Sequence, residues 1–171
     1  MKYFSIILTC LVAILFSACS KDSENNSDIE VYLQDSPADY EKIKVEVKGV
    51  SIYSQTAGEW VTLTVNNGIF DLLTLDGNNQ AFLGKVKVAG GNISQMQLII
   101  GNQNSVTVAG ITHPLILDAA DLDKLKVKFD HNINSGWSYK LTIDFKAAES
   151  IDSSGNVYKL KASLKVTLKA I

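Results

Sequence analysis

The residues that could do chemistry in this chain are few and scattered. Its two histidines, His113 and His131, lie in separate segments, one before Pro114 and one among Asn132 and Asn134. A Ser-His-Asp arrangement is assembled by the fold, but no Gly-x-Ser-x-Gly elbow marks a nucleophile. Asp35, Asp39, Asp71, Asp76, Asp144 and Asp152 are candidate acids for a Ca²⁺ site or a glycosidase pair. Asp118, Asp121 and Asp123 come nearest to a Ca²⁺ loop, yet have neither the Gly nor the terminal Glu that such a loop uses. Nothing sets the carboxylate separation that a glycosidase needs, and turn and capping roles account for most of these acids. The reading is therefore of no enzyme, with no catalytic residue, no metal and no cofactor. The aromatic residues are a better lead. Trp60 has the opposite parity to Val61, Leu63 and Val65, and Trp137 follows a Ser135-Gly136 turn. Both are expected at the surface as ligand-binding residues, since an exposed indole stacks on a sugar ring; core or rim packing is the competing role.

The elements that must position these residues show period-2 alternation from Ile29 onward. Ile29–Leu33 alternates, then Asp35-Ser36-Pro37 ends the run. Ile43, Val45 and Val47 share one face, but beyond Gly49 the apolar set moves to Val50 and Ile52. That phase change predicts a β-bulge at Gly49, where a positive φ would explain the glycine. Further strands are expected around Val61–Val65, Ile69–Leu75, Phe82–Val88, Met96–Ile100, Val106–Val108, Ile111–Leu117, Leu125–Phe129, Tyr139–Phe145 and Tyr158–Leu168. Phe82 is placed on one face with Val86 and Val88. Asp118–Leu122 is the one short helical turn, with Asp118 as its candidate N-cap. About ten short strands with so little helix to cover a parallel sheet predict an all-β fold, an antiparallel β-sandwich.

Composition sets the outer limits. The chain has 171 residues, 46% hydrophobic and 20% charged, so it can bury one core. All 16 basic residues are Lys, spread over many segments, and the net charge is −2. Without Arg, the side chain suited to bidentate phosphate and base-edge contacts, no nucleic-acid partner is expected. Lys at alternate strand positions discourages sheet-to-sheet association.

The N-terminus reads as an address. Met1-Lys2 opens a positive start, and Ile6–Phe16 is an apolar run too short for a helix of roughly 20 residues to span a bilayer. The next residues, Phe16-Ser17-Ala18-Cys19, resemble the lipobox of bacterial lipoproteins, with Phe16 where Leu is commoner. That resemblance implies a signal peptide over 1–18 and a diacylglyceryl group on Cys19. Residues 19–28 then form the lipidated Cys and a polar tether, and 29–171 a single domain. Ser20-Lys21-Asp22-Ser23-Glu24 is similar to signals that send some lipoproteins to the outer membrane, though it serves equally as a solvated tether. With Cys10 in the signal and Cys19 lipidated, the domain has no disulfide.

A wider resemblance covers the domain. Val31–Tyr40, Val45–Val50, Trp60–Leu63, Phe70–Leu75, Gly90/Gly91 with Ile93–Leu98, His113–Leu115, Ile143–Phe145 and Tyr158–Lys161 occur in an order similar to the domain of unknown function 4382 family of bacterial lipoproteins. Lys146 and Asp118-Ala119 depart from that pattern. The resemblance implies extracytoplasmic display and a β-rich domain, and no reaction. The expected function is a membrane-anchored surface binding or accessory module for a glycan or an envelope protein. A structural or assembly subunit is the alternative, and a hydrolase comes third. The expected address is the cell envelope, at the outer membrane, periplasmic or surface-exposed, with the membrane reached through the N-terminal lipid. Replacing the acceptor thiol, Cys19→Ser, should abolish metabolic lipid labelling and release the protein from washed membranes; equal retention of the mutant contradicts the anchor.

Overall fold

The computed structural model describes residues 25–171 except 36 and 67. The expected signal peptide and Cys19 lie outside these residues. The fold follows from one long strand. After β1 (Asn26–Gln34), strand β2 (Lys42–Ser54) runs for 13 residues, and four strands of the larger sheet pair with it directly. Along one edge it pairs antiparallel with β3 (Glu59–Thr64) and then β4 (Ile69–Asp71). Along the other it pairs with β6 (Gly91–Ile100) and then β7 (Ser105–Val108). Burial on β2 follows Ile43, Val45 and Val47 and then moves to Val50 and Ile52, as the apolar pattern predicts.

At this phase change both flanking ribbons are interrupted. Register slips between Val47 and Gly49 against β6, which makes Lys48 the extra residue of a bulge. Gly49 adjoins the bulge, but its φ is not positive, contrary to expectation. Its glycine is required for a different reason. A Cβ there would lie 2.7 Å from the carbonyl oxygen of Leu63, because β3 crosses close to the bulge.

The loops that interrupt the ribbons are tied to β2 by backbone and by Glu46. The Val47 amide donates to Gly68 O, and the Val65 amide donates to Lys48 O at 2.9 Å. On the other side the Gly101 amide donates to Glu46 O at 2.7 Å, and the Glu46 amide donates to Asn104 Oδ1 at 2.9 Å. The Glu46 carboxylate, on a residue only 5% exposed, accepts from the Gln103 amide at 3.0 Å and meets Lys48 Nζ at 2.5 Å. These donors, the Lys48 ammonium foremost, hold its carboxyl below the usual carboxylate range despite burial.

The bend divides the nine-stranded sheet. Its C-terminal half, β3, β2, β6 and β9 (Lys126–Ile133), faces a four-stranded sheet. That sheet has the order β13 (Lys165–Ala170), β10 (Ser138–Asp144), β1 and β5 (Ala81–Ala89). Ile29, Val31, Val88, Leu141 and Ile143 from one sheet share a core with Val50, Ile52, Met96 and Leu98 from the other. The N-terminal half continues through β7 to β8 (Ile111–Ile116), β12 (Val157–Leu160) and β11 (Ile151–Ser154). The β7–β8 hairpin turns at Ala109 and Gly110, both at positive φ as a two-residue turn of the primed type requires.

The all-β sandwich is as predicted, with 13 strands among the described residues and sheets that are mixed rather than purely antiparallel. β1 runs parallel to β10, and β12 parallel to β8. Short helical segments occur at η1 (Leu72–Thr74), η2 (Ala119–Leu125) and α1 (Ala147–Ser150), where one turn was expected. η2 occupies the expected position, but the Asp118 carboxylate pairs with Lys159 at 2.8 Å. Asn26–Asp28, predicted as tether, already belong to β1. They pair with Val88, Ala89 and Ser138, and Ser27 donates from its hydroxyl to Asn134 O at 2.8 Å. The apolar run Tyr158–Leu168 is not one strand, because the chain leaves one sheet after Leu160 and joins the other at Lys165.

Gly49→Ala should cost about 1–3 kcal/mol, the range for forced overpacking, while Lys44→Ala on the solvent face should stay within about 0.5 kcal/mol. Chemical denaturation of the two variants checks this, and equal midpoints would contradict the close approach of Leu63.

Candidate functional site

A second bulge creates the arrangement with most binding potential. β5 pairs with β1 so that Val31 faces Gly84 and Tyr32 faces Phe82, leaving Leu83 as the extra residue. Leu83 turns into the core and Gly84 takes φ +145°, a conformation glycine tolerates. Phe82 is thereby turned outward and is 55% exposed, which corrects its expected place beside Val86 and Val88. Its ring stands 5.2 Å from that of Tyr32, tilted by 51°.

Tyr32 is the centre of this face. Lys140 Nζ lies 4.2 Å from its ring centroid, within cation–π range, and its hydroxyl donates to Glu30 Oε2 at 3.1 Å. Burial first, then Glu30, push the phenol above its ordinary pKa. Two residues along the same face, Gln34 accepts from the Gln80 side-chain amide. Next to these residues runs a groove of about 420 Å³ lined by Gln34, Gln80, Lys140, Thr142, Thr167 and Lys169. Lys140 and Lys169 stand directly opposite one another across β10 and β13, and neither forms an ion pair with a described residue. Amides, hydroxyls and two ammonium groups beside a tilted aromatic pair offer hydrogen bonds and an apolar surface together.

The two tryptophans do not share a site. Trp60, 40% exposed, packs with its ring tilted by 56° and 5.3 Å from that of Tyr53, its direct cross-strand partner on the outer face of the nine-stranded sheet. Trp137, 55% exposed, lies on the outer side of the four-stranded sheet in a small cleft with Asn26, Asp28, Lys87 and Gly136. They occupy opposite faces of the sandwich. Both are exposed, as their parity and turn position predicted.

Several of the other candidate residues have partners within the fold. His113 stacks on Tyr158 at 4.9 Å, and His131 meets the edge of Tyr139 at 6.5 Å, on separate strands. Asp35 accepts from the Ala147 amide at 2.7 Å, fastening the end of β1 to α1. Asp76 accepts from the Asn78 and Asn79 amides in a turn. Asp118 and Asp152 alternate with Lys159 and Lys161 in a charged cleft of about 270 Å³. There Lys161 lowers the Asp152 pKa and both ammonium groups are raised by their carboxylate partners. The carboxyls of Glu46, Glu149 and Asp152 are lowered, the direction opposite to that of a general acid. No cluster of three His, Cys, Asp or Glu able to hold a metal occurs among the described residues.

Several sheet edges are short or carry Lys, whereas β3, six residues paired with β2 alone among the described strands, carries none. β11 has four residues, while β13, β9 and β5 carry Lys165 and Lys169, Lys126 and Lys128, and Lys85 and Lys87. No helix of the described residues is long and apolar enough to cross a membrane.

Fold and surface together define an all-β sandwich with an aromatic and amide platform on one sheet face. The chain belongs to the family described as Domain of unknown function (DUF4382), which matches residues 26–162. Among curated proteins there is no match. Two solved structures are similar to it, each described as a "putative cell adhesion protein". One, from Parabacteroides distasonis ATCC 8503, has a TM-score of 0.46 and 14% identity. The other, from Bacteroides eggerthii DSM 20697, has a TM-score of 0.36 and 15% identity. The match covers 85% of this chain in both cases, and 51% and 55% of those chains, so this chain spans about half the length of either.

Proposed function

We propose that the protein is a lipid-anchored binding module of the bacterial cell envelope, and that the outer face of its four-stranded sheet takes a glycan. The observation that supports this reading is the Tyr32–Phe82 pair set beside the polar groove. Cross-strand aromatic pairs steady a sheet by only about 0.2–1 kcal/mol. Turning a phenylalanine out to solvent at a bulge is a poor way to gain that stability, since burying such a side chain is worth about 1.5–3 kcal/mol. The exposed Phe82 ring tilted against Tyr32, next to a groove lined by Gln34, Gln80 and Thr142, suits a pyranose, which presents an apolar face and a rim of hydroxyls. The groove volume falls within the roughly 300–1,000 Å³ of ligand sites.

A glycan array probed with the purified Cys19→Ser protein tests the proposal. Binding to at least one glycan class is expected. Tyr32→Ala and Phe82→Ala should each weaken it by about tenfold, about 1.4 kcal/mol, within the range for aromatic–base stacking taken as a guide. Trp60→Ala and Trp137→Ala should leave it intact. Binding that depends on a tryptophan and ignores Tyr32 and Phe82 would move the site to that loop, and an array with no binding would sink the glycan reading.

A further inference from the structure

The end of the sandwich where the chain enters is built from four turns and strand starts that are bonded together. Asn25 O accepts from the Gly90 amide at 2.8 Å and from the Ser135 hydroxyl at 3.2 Å. The Gly136 amide donates to Asn26 O, and the Asp28 amide donates to Trp137 O at 3.0 Å. The Gln55 amide donates to Asn92 O at 2.9 Å, and a Cβ on Gly91 would collide with Thr56. The β2–β3, β5–β6 and β9–β10 turns therefore form one surface around Asn25. Both tryptophans border it, Trp137 on one face of the sandwich and Trp60 on the other.

We infer that this end rests on the bilayer that holds the Cys19 lipid, with Trp60 and Trp137 in the headgroup region on either side of the chain's entry point. The inference rests on the anchor in the proposed function. Five residues lie between Cys19 and Asn25, six steps along the chain and at most about 21 Å when extended. A lipidated Cys19 thus holds Asn25 within that distance of the membrane surface, and Asn25 is fixed to the domain by two hydrogen bonds. β1, nine residues and about 30 Å long, carries the opposite end away. Indole has an apolar body and one N–H donor, the amphipathic character that places tryptophan at membrane–water interfaces. The surface between the two rings carries the exposed polar residues Asn25, Asn134 and Ser135, which suit hydrated headgroups. The aromatic groove on the four-stranded sheet then rises alongside the membrane with its Gln34 end outermost.

The chain has only two tryptophans, so its intrinsic indole fluorescence reports on these two positions alone. The lipidated full chain, reconstituted in phosphatidylcholine vesicles, should emit at shorter wavelength than the soluble Cys19→Ser protein. Lipid spin-labelled in the headgroup region should quench it. Trp60→Phe and Trp137→Phe each leave one reporter, and both single-reporter proteins should be quenched. Protein that carries the Cys19 lipid and floats with the vesicles, but shows the soluble spectrum without quenching, would overturn the inference and leave the anchor standing. Protein with no lipid label would overturn both. A blue shift that appears in the soluble protein on concentration would assign the surface to self-association instead.

Discussion

A buried carboxylate holds the centre of this fold. Glu46 lies where the long β2 strand changes phase, and its side chain accepts hydrogen bonds from the loop that separates β6 from β7. A bend in a nine-stranded sheet leaves amides on both sides without strand partners, and an unpaired buried amide costs about as much as a lost hydrogen bond. Here the Gln103 amide reaches the carboxylate, the Glu46 amide reaches Asn104, and the Asn104 side chain donates to Gly101 O. Lys48, the bulged residue itself, supplies the counter-charge. The ion pair and the bulge are thus one feature. Gly101 and Gly68 complete it, because a Cβ on either would collide with Glu46 or with the Val47 carbonyl.

The surfaces follow from that bend. One half of the nine-stranded sheet is left to close the core against the four-stranded sheet, and the other carries β8, β12 and β11 outward. The outer face of the four-stranded sheet is then free along its length, and the second bulge at Leu83–Gly84 places an aromatic ring on it. Entry of β1 beside β10 brings Asn25, Ser135 and Trp137 together at one end. The groove and the tryptophan-bearing end therefore serve different contacts, one with a ligand and one with the anchoring surface.

Much of the scaffold was legible in the sequence because alternation reports burial directly. Ile29–Leu33, the phase change on β2 and the outward Trp60 all follow from it. Phe82 was misplaced because alternation assumes an unbroken strand; Gly84 within that run was the available signal of a bulge. The tilted Tyr32–Phe82 pair could not be seen, since it joins residues 50 apart through a register that only the bulge defines. Tyr158–Leu168 kept its parity while crossing between sheets, so periodicity had nothing to register. Parallel pairing of β1 with β10 depends on long-range topology, and Asn26–Asp28 carry no apolar alternation although β10 and β5 hold them in place.

The central claim is that Glu46 fastens the two halves of the sheet into one cooperative unit. Its folded-state pKa is lowered from 4.5, so the stability it contributes is present above that value and is lost as pH falls through the folded pKa. Native-state hydrogen exchange, corrected for intrinsic rates, measures this residue by residue. At pH 7 the amides of Glu46, Val47, Gly101 and Gln103 should exchange only through global unfolding, as slowly as Ile52 in the core. Below about pH 4.5 protection should fall first at Gln103 and Glu46. Fast local exchange at these amides at pH 7, or protection there that ignores acidification, would contradict the account.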